Sequence, residues 1–423
     1  MSAVPSIVWF RHDLRLRDNP ALRAVAARSG ARSVYFNRRY EPAAAARDDE
    51  AVRGLHRDGI MTAGFNASLL FEPWEIGNAS GGPYQVYGPF RRACLAAPDP
   101  PRPDGAPRRS IAAPAGWPRS VPLRDLDIDP GAPSIGRLDS EWRPGEAGAL
   151  RQLRAFLGGP LGAYGERHDR PDVAGTARLS PHLHFGEIGP RRIWSGLRRI
   201  GHSGGEAGAA ARRFERQILW REFACHLLHH FPHTPEQPLR RRFASFPRHD
   251  GGAALAAWEN GRTGYPIVDA GMRELRTTGW MHNRVRMVVA SFLVKDLLLP
   301  WQSGAAWFWD ALVDADLANN TLGWQWTAGC GADAAPFFRI FNPVRQGIRF
   351  DPDGAYVRRF VPELAALPAR WIHRPFAAPG GLLDASGIRL GSSYPRPIVD
   401  HEERCALALA VYRTAMTSPG AAR

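Results

Sequence analysis

From residue 146 onward the sequence reads as one helix after another. Apolar residues recur at three- and four-residue intervals over 146–157, 181–199, 206–230, 268–277, 280–299, 304–313 and 401–415, with no repeat at a fixed period. Stripes of this kind must be buried against each other, so most of the chain is expected to form a single large helical unit. The N-terminal part differs. A β-rich run at 6–10, a helical pattern from Asp18 to about Ala27, a second strand at 32–37, a polar helix over 43–57 and a strand candidate at 68–71 suggest a small α/β unit. Between them, residues 96–144 are rich in Pro, Gly, Asp and Arg without apolar periodicity, which marks a connector. The expected units are therefore 1–95, 96–144 and 145–423.

Composition narrows the functional classes. Of 423 residues, 44% are apolar and 23% charged, the ordinary range of folded domains. The longest apolar stretch, 287–301, is broken by Lys295 and Asp296, so no membrane span is expected. Arg11, Asp13 and Arg15 follow directly on the short apolar start, which excludes a signal-peptide core and points to the cytoplasm. Four cysteines, Cys94, Cys225, Cys330 and Cys405, lie far apart and are expected to be reduced thiols without zinc. The net charge of +14 is carried almost wholly by arginine, since Lys295 is the only lysine. Arginine forks two donors onto a phosphate, which suits a nucleic-acid partner, although GC-rich coding also raises arginine.

Several segments carry chemistry. In 175–181, Ser180 is expected to cap a helix with Pro181 in its first turn, leaving N–H groups, two hydroxyls and Arg178 to hold a phosphate; a plain capped helix is the alternative. Gln217, Trp220, Arg221 and Ala224 share one face of the 206–230 helix, and Trp280, Asn283, Arg284 and Met287 share a face further on, with Arg286 pointing elsewhere. Such paired aromatic and polar stripes suit planar rings, or a core Trp with a snorkelling Arg. Segment 314–326 holds Asp314, Asp316, Asn319, Asn320, Trp324 and Trp326. Its aspartates lack the further carboxylates or histidines a metal needs, and its tryptophans, two apart, cannot share a helix face. His226, His229, His230 and His233 have helical spacing but no HExxH carboxylate, so no metal is expected. Walker and GxGxxG motifs are absent from the sequence, and no serine-hydrolase nucleophile elbow is expected.

Taken in order, residues 8–19, 175–181, 220–223, 263–270, 279–287, 314–326 and 338–343 resemble the DNA photolyase/cryptochrome family, most closely a bacterial class I cyclobutane pyrimidine dimer photolyase with a shortened N-terminal antenna domain. The resemblance is nearly continuous from about 150 to 412. It implies a truncated, Rossmann-like parallel sheet with its helices, followed by a large all-α domain that holds FAD. By motif position, Tyr164, Thr176, Ala177, Arg178, Leu179, Ser180, Phe214, Arg221, Arg286, Asp314, Ala315, Asp316 and Asn320 would form the flavin shell. Asn320 would lie near the flavin N5, and Arg286 would pair with Asp314. Trp220 and Trp326 would flank a flipped-out dimer, Gln217, Asn283 and Met287 would touch it, and Arg284 and Arg339 would hold phosphates.

The implied chemistry is light-driven repair of cyclobutane dimers in DNA by an electron from reduced FAD, with Trp324 and Trp301 as the inner relay of flavin photoreduction. Three departures stand out. Gln217 replaces the family's usual glutamate, the outer relay tryptophan falls near Arg248, and roughly seventy residues of the family pattern are missing after Gly30. Glu41 matches an antenna position, yet weak or no binding of folate or deazaflavin is expected. His282 followed by Asn283 favours cyclobutane over (6-4) repair, and an end soon after Tyr412 favours an enzyme over a cryptochrome photoreceptor. A cryptochrome without repair activity and a non-catalytic DNA-binding remnant stay open. The expected state is a monomer in the bacterial cytoplasm, at the nucleoid when bound to DNA.

Overall fold

The computed structural model describes residues 6–9, 33–106, 122, 125, 141–202, 204–244, 251–334 and 338–417. The expected helix near 18–27, most of the 8–19 motif, the break after Gly30 and Arg248 lie outside them. Strands β1 (Ser6–Trp9), β2 (Ser33–Asn37) and β3 (Met61–Phe65) form a parallel sheet in the order β1-β2-β3. The crossover from β2 to β3 runs through helix α1 (Pro42–Arg57), whose Pro42 starts the helix where a missing N–H costs nothing.

The strand expected at 68–71 is not formed; the third strand is β3. Residues 68–71 instead run beneath helix α5 (Gly205–His230), and side chains of that helix satisfy their backbone. The Leu70 and Phe71 N–H groups donate to Glu222 Oε2 at 2.8 and 3.2 Å, and Arg221 donates to the Ser68 carbonyl at 2.6 Å. An apolar run buried on a helix looks the same in sequence as one buried in a sheet.

Helix α2 (Tyr87–Ala96) packs on α5, and its Tyr87, Phe90 and Cys94 share one buried core with Leu153 and Phe156 of α3 (Glu146–Gly158) and Ile193, Trp194 and Leu197 of α4 (Pro190–Gly201). The single helix expected over 181–199 is two, Ser180–His184 and α4. Gly186 takes a left-handed φ of 66° between them, and Pro190 restarts the helix. A second core gathers α6 (Pro266–Thr278), α7 (Asn283–Ser291), α8 (Trp301–Ala311) and α9 (Leu317–Ala328). The helix expected over 280–299 begins at Asn283 and passes into a π-helical turn, Phe292–Asp296, against which the C-terminal helix α10 (His401–Thr417) lies. All four cysteines are free thiols.

The seam between α5 and the N-terminal segment has a pH signature. Burial pushes the Glu222 carboxyl up to about 7 from 4.5, with Arg221 pulling the other way. Between those values the native state keeps a proton that the unfolded chain has lost. This contribution is therefore present in acid and disappears as pH rises through 7. His226 has the opposite sign. Its Nε2 accepts from the Tyr84 N–H at 3.0 Å and its Nδ1 faces the Pro73 carbonyl at 3.1 Å, an arrangement that needs the neutral ring. Burial holds it down to about 4 from 6.5, so its contribution is lost as pH falls through that interval. Glu222→Gln keeps an oxygen for the two amides and removes only the first effect. Urea unfolding at about pH 5 and about pH 7 should show the variant gaining more stability over that rise than the parent. Equal gains would detach Glu222 from the pH response.

Candidate active site

Side-chain caps set the starting points of two helices at the site. His282 precedes α7 and its Nδ1 accepts the Arg284 N–H at 3.1 Å. The buried Glu274 carboxylate accepts the His282 N–H at 3.2 Å and the Tyr356 hydroxyl at 2.7 Å. Burial keeps the His282 ring neutral, down to about 4, as a capping acceptor must be. Asp316 caps α9 by accepting the Asn319 N–H at 2.8 Å. Between these helix starts Arg286 reaches Asp314 through one nitrogen, at 3.0 and 2.9 Å from the two carboxylate oxygens, while its Nε donates to the Met281 carbonyl at 2.8 Å.

The cavity has two adjoining lobes, of about 530 and 280 Å³. Tyr164, Thr176, Gln217, Asn283, Arg286, Asp314 and Asp316 line both. Trp220, Arg284, Met287, Ala315, Asn320, Trp324 and Trp326 belong to the larger lobe. Ala177, Arg178, Leu179, Ser180, Phe214 and Arg221 belong to the smaller. Two candidates stand apart. Trp301 is buried in the core at the start of α8, and Arg339 is not among the lining residues but places its guanidinium 5.8 Å from the Trp326 ring centre.

Two local expectations are corrected. Ser180 is not the cap: Leu179 occupies that position without a side-chain bond, and the Ser180 hydroxyl instead accepts the Trp280 indole N–H at 3.3 Å. Trp280 precedes α7 and shares no helical face with Asn283. Arg178 has a left-handed φ of 47°, and its guanidinium lies between Trp142 and Trp280 at 4.8 and 4.7 Å.

Sequence patterns missed other parts of the site. Asp169 lines the larger lobe and pairs with Arg284 at 2.7 Å, and Asp333 lines it from the loop after α9. Tyr87 stacks on Trp220. Trp258 meets the buried Trp324 edge-on at 6.2 Å. None lies near its partner in the chain, so no periodicity could reveal these contacts.

The donor set suits a flavin dinucleotide. The smaller lobe offers the hydroxyl-bearing Thr176 and Ser180 with Arg178 and Arg221, cations and donors for a diphosphate; the Arg178 Nε is buried with no hydrogen-bond partner among the described residues. The larger lobe offers an Arg–Asp pair and the Asn320 amide for a polar ring edge, with apolar Met287 and the tryptophans for its faces. Asn320 donates one N–H to the Ala305 carbonyl at 2.9 Å, which fixes its amide plane. Among the described residues no cluster of three or more His, Cys, Asp or Glu side chains could hold a metal, and no helix is long and apolar enough to cross a membrane.

Comparison with known proteins agrees with this geometry. Residues 214–414 match the FAD binding domain of DNA photolyase and residues 22–108 match DNA photolyase. The deoxyribodipyrimidine photo-lyase of Agrobacterium fabrum is 48% identical over 92% of this chain and 81% of its own length. Cryptochrome-1 of Arabidopsis thaliana is 38% identical over 94% of this chain and 68% of its own. The crystal structure of a bacterial class III photolyase from Agrobacterium tumefaciens superposes with a TM-score of 0.93 at 41% identity, covering 99% of both chains. The chain belongs to the DNA photolyase/cryptochrome family.

Proposed function

We propose that this protein is a deoxyribodipyrimidine photo-lyase that repairs cyclobutane pyrimidine dimers in DNA under light. The observation that carries the reading is the cavity itself: an Arg–Asp pair, a fixed amide and phosphate donors lie in the same hollow as the indoles of Trp220 and Trp326. When bound, reduced FAD supplies the electron that opens the dimer and takes it back. The chain's own work is to hold and orient. Arg286 and Asp314 hold the polar edge of the ring, Asn320 presents an amide of fixed plane, and Thr176, Arg178, Ser180 and Arg221 hold the diphosphate. Trp220 and Trp326 are apolar walls for the extruded pyrimidines, and Gln217 and Asn283 supply hydrogen bonds to their edges. Arg284 and Arg339 serve the DNA backbone. Arg284 already has a carboxylate partner in Asp169, so it offers phosphate only the rest of its fork.

The subclass we favour is class III, on the fold match to the Agrobacterium tumefaciens structure; nothing separately favours class I. The reading includes weak or no antenna binding, a monomer, and the cytoplasm, where its DNA is. Loss of dimers from DNA only in the light, with purified protein, tests it. Flavin photochemistry without dimer loss would favour a cryptochrome.

Two variants probe the assignments. Trp220→Ala removes a stacking wall and should weaken binding of dimer-containing DNA by about 1–3 kcal/mol in a titration; unchanged affinity would remove Trp220 from the site. Trp324→Phe should slow flavin photoreduction in transient absorption while repair by chemically prereduced protein continues. Loss of that repair as well would make Trp324 a structural residue rather than a relay.

A further inference from the structure

Trp220 has a partner that neither motif nor cavity lining reveals. Tyr87, the first residue of α2, lies flat on the indole, with ring centres 3.7 Å apart and planes 8° from parallel. A face-to-face sandwich is not what two free aromatic rings prefer. This one is imposed by its surroundings. The Tyr87 hydroxyl donates to the Arg216 carbonyl at 2.8 Å, one turn before Trp220 on α5, and Phe223 presents an edge to both rings at 5.9 and 5.8 Å.

The backbone of Tyr87 is anchored elsewhere. Its N–H donates to Asp333 Oδ1 at 3.2 Å, and the Asp333 N–H donates to the Gln85 carbonyl at 3.1 Å. Asp333 lines the larger lobe, follows the helix that carries Trp326, and has a left-handed φ of 50°. Non-glycine residues keep such a φ only where neighbours enforce it.

We infer that Tyr87 is a positioning residue for the lesion. It covers one face of Trp220, so the indole offers the cavity its remaining face and edge. Through Asp333 it also ties that wall to the loop behind Trp326. The gap between the two indoles is then set from the N-terminal segment, through a residue that touches neither lesion nor cofactor. This inference rests on the proposed photolyase reading and deepens it.

The test uses the full-length, flavin-loaded protein and two duplexes of one sequence, with and without a single thymine dimer. Tyr87→Leu should lose about tenfold in affinity for the dimer duplex. Affinity for the undamaged duplex and flavin content should hold, the loss should fall on KM rather than kcat, and Tyr87→Phe, which keeps the ring over Trp220 and loses only the bond to Arg216, should restore most of it. Wild-type affinity in Tyr87→Leu, or an equal loss on both duplexes, overturns the inference. Should Tyr87→Leu not fold, Asp333→Gly decides: it relieves the φ but removes the anchor, so a selective loss of dimer affinity supports the inference and its absence overturns it. A parent protein that does not prefer the dimer duplex removes the photolyase reading and this inference with it. A parent that prefers it alongside an equally selective Tyr87→Leu removes the inference alone.

Discussion

Arg286→Leu is expected to strip the protein of flavin and lower its stability by about 3–5 kcal/mol, the usual result of leaving half of a buried ion pair behind. Asp314 is the more deeply placed partner, its side chain 3% exposed against 24% for Arg286. Removing the arginine leaves a carboxylate with little access to water beside a cavity meant for a polar ring. The reverse change, Asp314→Asn, leaves a guanidinium that still reaches solvent and still donates to the Met281 carbonyl, so its loss of stability should be smaller. Thermal unfolding, together with the yellow pigment retained through gel filtration, measures both effects. Unchanged unfolding and full pigment in Arg286→Leu would show that the pair holds neither fold nor cofactor.

Gly304→Val should impair the site from behind. Gly304 lies on α8 where a Cβ would run into the Trp324 ring and stand 2.6 Å from a Leu293 methyl carbon. Trp324 is itself 2% exposed and wedged against Phe308 and Trp258, with ring centres at 5.0 and 6.2 Å. A helix would normally gain only a few tenths of a kcal/mol when valine replaces glycine, and overpacking a filled core costs about 1–3 kcal/mol and wins here. The indole also lines the cavity, so the variant should be less stable and bind flavin more weakly. Denaturant unfolding and flavin titration would show both. A variant as stable as the parent would mean that α8 moves aside at no cost.

How much of this was legible in the sequence depends on the distance over which each contact acts. The helices stood out because their burial follows a local period: Ile193, Trp194 and Leu197 of α4 face inward while Arg191 and Arg192 lie partly exposed. Errors occurred where one backbone angle overrode the pattern, as at Gly186, or where a side chain from elsewhere satisfied a segment, as Glu222 does for residues 70–71. The Arg286–Asp314 pair was named from a resemblance of motifs; residue spacing alone did not require it. Tyr87 and Asp333, 246 positions apart, leave no trace in any window of sequence.

The seam between α5 and residues 68–87 bears on how such a chain is free to change. Arg221, Glu222, Arg216 and His226 each bond to the backbone or side chains of that stretch, and they alternate along α5 with Gln217 and Trp220, which line the cavity. One helix thus grips the front of the protein with one set of residues and lines the cavity with another. Shortening residues 68–87 would remove the support under the helix whose Gln217 and Trp220 line the cavity.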